Sequence, residues 1–179
     1  DPLRQLQKEG FRLSELQPNK DGLINIEQLS EAVEKDTFLV SVMAANNEIG
    51  VLQPISEIGS FCERKGIAFH TDAAQALGYL DLDPDKFRID LMSLSAHKIY
   101  GPKGIGALVI REDFPLEPFQ YGGGQELGLR SGTLPVPLIV GFAKAVEITK
   151  NDQDERNKRL LIFRNLLLSG LKKNISGLI

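Results

Sequence analysis

The sequence predicts an α/β fold, a mainly parallel sheet sandwiched by helices. Three short apolar runs, at 37–43, 66–72 and 90–94, follow one another with helical patterns between them. Such runs are typical of parallel strands that are buried on both faces. Strands and helices in alternation are typical of right-handed βαβ units. We therefore expect a layered α/β domain over residues 1–179.

Composition and charge narrow the class of protein. The chain has 179 residues, 42% of them hydrophobic and 25% charged, as in a soluble globular domain. A net charge of -3 does not indicate a nucleic-acid-binding surface. No apolar run reaches the roughly eighteen residues that a membrane span needs, and no signal peptide opens the chain. We expect no nucleic acid and no membrane as partners, and a cytoplasmic location, or an organellar matrix in a eukaryote.

Cysteine and histidine are too few for a metal site. Cys62 is the single cysteine, so an intramolecular disulfide is excluded. It falls on the apolar face of a helix expected between Pro54 and Gly66, and we interpret it as a core residue. His70 and His97 are the two histidines, and we expect no metal.

The segment before the first strand predicts a helix, an edge strand and a second helix. A helix closes at Gly10, and the alternation of apolar and polar residues over 11–16 predicts a half-exposed edge strand. Asn25, with Gln28 three residues later, predicts the N-cap of a helix that ends near Lys35.

Polar residues follow each of the three buried strands. Asn47 lies just beyond the first strand, Asp72 ends the second with Gln75 on an expected helical turn, and Ser95, His97 and Lys98 follow the third. In open α/β sheets, ligands bind outside the carboxyl ends of the strands. The sequence therefore predicts a binding site at this edge.

Lys98 is the candidate reactive group at that edge. A lysine that is buried at a strand end loses its proton readily and can attack a carbonyl group. The alternative from local composition alone is a lysine that reaches into water. Glycines follow it at positions 101, 104 and 106, and 106–110 predicts a returning strand.

A glycine-rich loop spans 119–126 and is followed by 129–133. It could hold a phosphate through its backbone N–H groups, or it could be a mobile loop or a subunit contact. Neither this loop nor the glycines after Lys98 fit the P-loop spacing, so nucleotide binding is not indicated.

The chain is helical after Pro135. The apolar run 138–146 predicts a buried helix, and 151–179 predicts a final helix with a solvated, charged start. The apolar end at 176–179 has no capping residue, which indicates a strand or second domain beyond it.

Four motifs together resemble the cysteine desulfurases, pyridoxal-phosphate enzymes of the aspartate-aminotransferase structural type. The resemblance runs from Leu3 to about Ile148 and rests on Ala45–Gly50, His70–Gln75, Ser95–Gly104 and Gly122–Glu126 with Arg130–Thr133. It implies that the chain is the central part of the large cofactor-binding domain. The helix in 151–179 would then lead to a missing small domain.

The resemblance implies a role for each candidate residue. Lys98 would form the internal Schiff base and move protons at the substrate α-carbon, and Asp72 would pair with the pyridinium nitrogen. Asn47 and Gln75 would bind the phenolic oxygen, with Asn47 also near the substrate carboxylate. Ser95 and His97 would bind the phosphate. Thr133 would reach the phosphate of the neighbouring subunit in a homodimer.

The implied reaction converts L-cysteine to L-alanine and passes sulfur to an enzyme cysteine as a persulfide. The sulfur then goes to a sulfur-acceptor or iron–sulfur scaffold protein. The family's cofactor-stacking histidine and phosphate-binding threonine align before Asp1, and its substrate-binding arginine and catalytic cysteine align after Ile179. Cys62 is not that cysteine. The alternatives are a selenocysteine lyase, another class V aminotransferase-like enzyme, or a non-catalytic dimerisation module.

Overall fold

The computed structural model describes residues 2–177 and contains one mixed β-sheet. Its hydrogen-bonded order is β1-β2-β3-β4, in chain order. The strands are β1 Leu39–Met43, β2 Ala68–Asp72, β3 Leu91–Ser95 and β4 Gly106–Ile110. The predicted α/β fold is confirmed, and each buried run forms a strand within about two residues of its expected bounds.

The first three strands are parallel. Met43 of β1 pairs with Asp72 of β2, and Asp72 pairs with Ser93 of β3. The strand β4 returns antiparallel to β3, because the backbone bonds join Ala96 to Ile105 and Asp90 to Arg111 in opposite order. The carboxyl ends of β1, β2 and β3 therefore lie on the same edge of the sheet.

The part of the chain that the structure describes also contains six α-helices and two 3₁₀ turns. The helices are α1 Pro2–Lys8, α2 Ile26–Ala32, α3 Ile55–Lys65, α4 Pro84–Phe87, α5 Val136–Asn151 and α6 Gln153–Asn174, and the 3₁₀ turns are Ala96–Ile99 and Glu126–Gly128. Two helix ends lie at the capping residues that the sequence predicts. Asn25 caps α2 through the N–H of Glu27, and Gly66 ends α3 in the left-handed conformation.

The chain forms two compact units. The first contains the described residues up to Gln75 together with Asp83–Ser93 and Leu108–Phe114. The second contains Ala76–Leu82, Leu94–Ala107 and the chain from Pro115 onward. The boundaries fall within β3, after Ser93, and within β4, after Ala107.

The core of the first unit lies between β2 and α3. Phe69 of β2 and Ile58 and Cys62 of α3 are buried. The helices α3 and α4 approach closely at Gly59, where an added Cβ would lie 2.0 Å from the carbonyl oxygen of Phe87. Burial raises the pKa of the Cys62 thiol to about 11, so this residue is the core cysteine that its helical spacing predicts.

Asp90 joins three strands of the first unit just before β3 begins. Its Oδ2 accepts a hydrogen bond from the backbone N–H of Phe69 at 2.7 Å, and its Oδ1 accepts from Nε of Arg111 at 2.5 Å. Its backbone also pairs with both of these residues. One carboxylate thus connects β2, the start of β3 and the end of β4.

The core of the second unit packs α5 against the 3₁₀ turn after β3. Ala96 and Ile99 of the turn are buried with Phe142 and Ala145 of α5. In α6, Arg156 donates to the carbonyl oxygen of Gly78, and Asn157 donates to that of Tyr79 at 3.0 Å.

Several expectations about local structure are wrong. Residues 11–16 form no strand: in place of a strand partner, Arg12 makes side-chain ion pairs with Glu34 and Asp36. The helix α5 is less buried than its apolar sequence predicts, since Ile139 is 37% and Val140 62% exposed. The apolar residues of α5 do not recur with a clear helical period, so the sequence did not indicate which face of the helix is buried.

The predicted final helix is confirmed by α6. Leu178 and Ile179 lie outside the described residues. Within the described chain, no helix combines the length and apolar character that a membrane crossing requires.

Replacing Asp90 with alanine should lower the free energy of unfolding by about 2 kcal/mol, because the Phe69 N–H loses its side-chain acceptor inside the structure. Urea unfolding followed by circular dichroism measures this loss. Glu112→Ala, which removes an exposed carboxylate near the same strand end, is the matched control and should change the free energy of unfolding by less than about 0.5 kcal/mol. Equal losses in both variants would contradict a special role for Asp90.

Two glycine-to-alanine changes within helices should have opposite effects. Gly59→Ala should destabilise by about 1–3 kcal/mol, because its Cβ would overlap the Phe87 carbonyl and force α3 and α4 apart. Gly170→Ala in α6 has open space around the new Cβ and should stabilise by up to about 1 kcal/mol. Thermal melting of both variants is the measurement, and a stabilised Gly59→Ala protein would show that the close approach is absent in solution.

Candidate active site

Asp72 is the last residue of β2, and its carboxylate is exposed at the sheet edge. Its Oδ1 accepts a hydrogen bond from the N–H of Ala74 at 2.9 Å, which closes a tight turn after the strand. The backbone is held on both sides, since Ala44 N–H donates to the Asp72 carbonyl and Ala73 N–H donates to the Ser93 carbonyl. The strand end is therefore rigid, while the second carboxylate oxygen remains available.

Asn47 lies at the exposed tip of a loop that Asn46 organises. The Asn46 Oδ1 accepts from the N–H groups of Glu48 at 2.8 Å and Ile49 at 3.0 Å. Gly50 completes the loop with a φ of +70°, a conformation that favours glycine. Asn46 thus shapes the loop that presents Asn47, a role that the sequence analysis missed although asparagine is typical of such turns.

Gln75 is half-buried in a turn that follows Asp72. The helical turn that we expected at Gln75 is wrong, because residues 74–76 form a turn outside any helix. Asn47, Asp72 and Gln75 all belong to the first unit, and the Ala44–Asp72 backbone bond ties the start of the Asn47 loop to the end of β2.

Ser95, His97 and Lys98 belong to the second unit and lie within four consecutive residues at the end of β3. The Ser95 hydroxyl and the Nδ1 of His97 are 3.0 Å apart and hydrogen-bonded. Each group carries a hydrogen-bond donor, so both can donate to an anion once the bond between them is broken.

Lys98 lies on the short 3₁₀ turn, whose backbone is anchored on both sides of it. Ala96 and Ile99 are buried, and an added Cβ at Gly101 would lie 2.8 Å from the Ala96 carbonyl oxygen. Tyr100 ends the turn at a φ of +65°. The side chain of Lys98 is exposed, which agrees with the lysine that reaches into water and not with the buried one.

Thr133 is exposed and follows the glycine-rich loop in the second unit. The loop is held by its own side chains, since Gln125 Oε1 accepts from the N–H of Gly132 at 2.9 Å. Phe119 and Leu127 are nearly fully exposed on it, and Leu127 has a φ of +56°.

Ser41, His70 and Ser93 form a second polar feature that the sequence analysis did not predict. Ser41 Oγ lies 2.7 Å from Nδ1 of His70, and Nε2 of His70 lies 2.9 Å from Oγ of Ser93. Burial lowers the pKa of His70, and the charge of Asp72 opposes this to a smaller extent. The spacing of His70, two residues before Asp72, was the available signal, because such residues share one face of a strand.

The described residues contain no group of three or more histidine, cysteine, aspartate and glutamate side chains placed to hold a metal ion. The candidate residues of the first unit are a carboxylate and two amides, and those of the second unit are two hydroxyls, an imidazole and an amine.

Comparison with known proteins identifies the family. The sequence model for "Aminotransferase class-V" matches residues 2–176. A mouse protein named cysteine desulfurase is 47% identical over 181 aligned residues, which cover 100% of this chain and 39% of that protein. The bacterial cysteine desulfurase IscS of Dechloromonas aromatica is 48% identical over 96% of this chain and 43% of its own length. This chain therefore spans about two fifths of the relatives that it matches.

A solved structure described as a NifS-like protein superposes with a TM-score of 0.92 at 41% identity, over 96% of this chain and 47% of that chain. These relatives confirm the resemblance to cysteine desulfurases and the pyridoxal-phosphate fold type. Because the family model covers nearly every residue, the chain belongs to the class V aminotransferase family.

Proposed function

We propose that the chain is the pyridoxal-phosphate-binding part of a cysteine desulfurase, which converts L-cysteine to L-alanine and passes sulfur to an enzyme cysteine. The observation that carries the proposal is 47% identity to a cysteine desulfurase over the whole chain. A further neighbour, SspA, whose structure is described as a complex with cysteine, is 50% identical over 82% of this chain with a TM-score of 0.80, which supports L-cysteine as the substrate.

The first unit offers groups that fit the ring of this cofactor. Asp72 is exposed, takes part in none of the ion pairs among the described residues, and has one carboxylate oxygen beyond the bond to Ala74. A carboxylate of this kind keeps a pyridine nitrogen protonated, since it favours the charged form. Asn47 and Gln75 are the amides of this unit that would donate to the phenolic oxygen, with Asn47 also donating to the substrate carboxylate.

The second unit offers groups that fit a phosphate and an aldehyde. Ser95 and His97 supply a hydroxyl and an imidazole, which bind phosphate oxygens as donors. Lys98 follows directly and supplies the amine that holds the cofactor and moves a proton at the substrate α-carbon. Pyridoxal phosphate, when bound, supplies an electron sink for the substrate.

The proposal includes a homodimer in which Thr133 and the glycine-rich loop contact a second copy. The nearly complete exposure of Phe119 and Leu127 on this loop supports it, because apolar groups in such positions are typical of contact surfaces. A sulfur-acceptor or iron–sulfur scaffold protein would receive the sulfur. We further propose a cytoplasmic or organellar-matrix location, which agrees with bacterial and mitochondrial names among the relatives. We also propose that 1–179 is one large-domain segment, with 151–179 leading to a small domain.

Borohydride reduction after addition of pyridoxal phosphate should fix the cofactor on Lys98, because this amine directly follows the proposed phosphate-binding residues. Peptide mass spectrometry of the complete protein that carries this chain locates the adduct. Lys98→Arg should abolish the label, whereas Lys103→Arg, an exposed lysine of the same segment, should keep it. Label on another lysine, with Lys98 unmodified, would reject the assignment.

Asp72→Asn should lower the rate of cysteine turnover by about 10- to 100-fold, since a charged hydrogen bond to the ring nitrogen is worth about 1.5–3 kcal/mol. The lysine adduct should still form, because Asp72 does not hold the aldehyde. The assay measures alanine release by the complete protein, with Asp81→Asn, an exposed aspartate outside the proposed site, as the matched control. Wild-type turnover in Asp72→Asn would remove Asp72 from the mechanism.

A further inference from the structure

The Ser41–His70–Ser93 row crosses three neighbouring parallel strands of the first unit. The imidazole bridges the two hydroxyl groups at 2.7 Å and 2.9 Å, so each ring nitrogen has a partner. A neutral imidazole donates through one nitrogen and accepts through the other, and a serine hydroxyl can complement either. The row is therefore fully satisfied without a charge.

The row lies next to Asp72 both along β2, through His70, and across to β3, through Ser93. His70 precedes Asp72 by two residues on β2, so both side chains project from the same face, about 7 Å apart along the strand. Ser93 is the residue of β3 that pairs directly with Asp72. Phe69 and Thr71 point to the opposite face of β2 and are fully buried there.

If the His70 ring were charged, it would compete with an external cation for the Asp72 carboxylate. Its charge would attract the nearby carboxylate and reduce the interaction that remains for an external cation. Burial favours the neutral ring, in agreement with the lowered pKa of His70. Within residues 2–177, no ion pair involves Asp72, which leaves its charge available.

We propose that His70 is a positioning residue for Asp72: bonded to Ser41 and Ser93 and neutral in its half-buried position, it fixes the strand end while leaving the carboxylate's charge for the ring nitrogen of the cofactor. The inference rests on the proposed function for the role of Asp72, and goes beyond it in assigning a task to His70, Ser41 and Ser93. A purely structural row would stabilise the sheet and leave cofactor binding unchanged.

The test compares variants of the complete protein by pyridoxal-phosphate titration, by the absorption maximum of the bound cofactor and by urea unfolding. His70→Leu removes both bonds and should weaken cofactor binding about tenfold, the factor that one hydrogen bond is typically worth, with a shifted absorption maximum. His70→Gln retains a polar group near the Nε2 position and should recover part of the affinity. Thr71→Val is the matched control on the opposite face, where the Thr71 hydroxyl has no hydrogen-bond partner among the described residues, and should bind as the wild type does.

Nitrogen NMR of the His70 ring tests the protonation state without any cofactor. At pH 7 we expect one protonated and one unprotonated ring nitrogen, and two protonated nitrogens would overturn the inference. If the wild type binds the cofactor and His70→Leu and His70→Gln bind it with unchanged affinity and absorption, losing only stability, the row is structural and the inference alone fails. If the wild type binds no cofactor, the proposed function fails and the inference falls with it.

Discussion

The structure depends on the carboxylate of Asp90, which fixes how three short strands meet. Each strand has only five residues, so few ladder bonds hold its register. Asp90 adds a side-chain bond to Phe69 of β2 and an ion pair to Arg111 beyond β4. A slip of one residue would exchange the two faces of β2 and turn Asp72 towards the core. The position of Asp72 therefore depends on a polar contact at the opposite end of β2 and β3.

Polar groups thus hold both ends of the β2–β3 pair in the first unit. Asp90 acts where β3 begins, and the His70–Ser93 bond acts close to the paired residues Asp72 and Ser93. Apolar packing of Phe69 against α3 stabilises the layer but tolerates small shifts, since dispersion contacts are not directional. Hydrogen bonds require a particular alignment. The apolar core accounts for the layered fold, and these polar bonds account for the placement of the carboxylate.

Sequence patterns correctly predicted the features that depend on a few adjacent residues. Asn25, Pro54 and Gly66 mark helix ends as expected, because capping and left-handed conformations depend on a few adjacent residues. The expected strand at 11–16 is wrong because a strand needs a partner, and pairing is not encoded in one segment. The Ser41–His70–Ser93 row was missed for the same reason: its members come from three strands. The candidate site residues at strand ends were predicted because the parallel topology itself determines which ends share an edge.

Lys98 combines an anchored backbone with an exposed side chain. The 3₁₀ turn is anchored by Ala96 and Ile99 in the core of the second unit, and close contact at Gly101 leaves its backbone little freedom. The amine itself is exposed. An anchored backbone loses less entropy when a ligand binds to it, so the turn favours binding at one position.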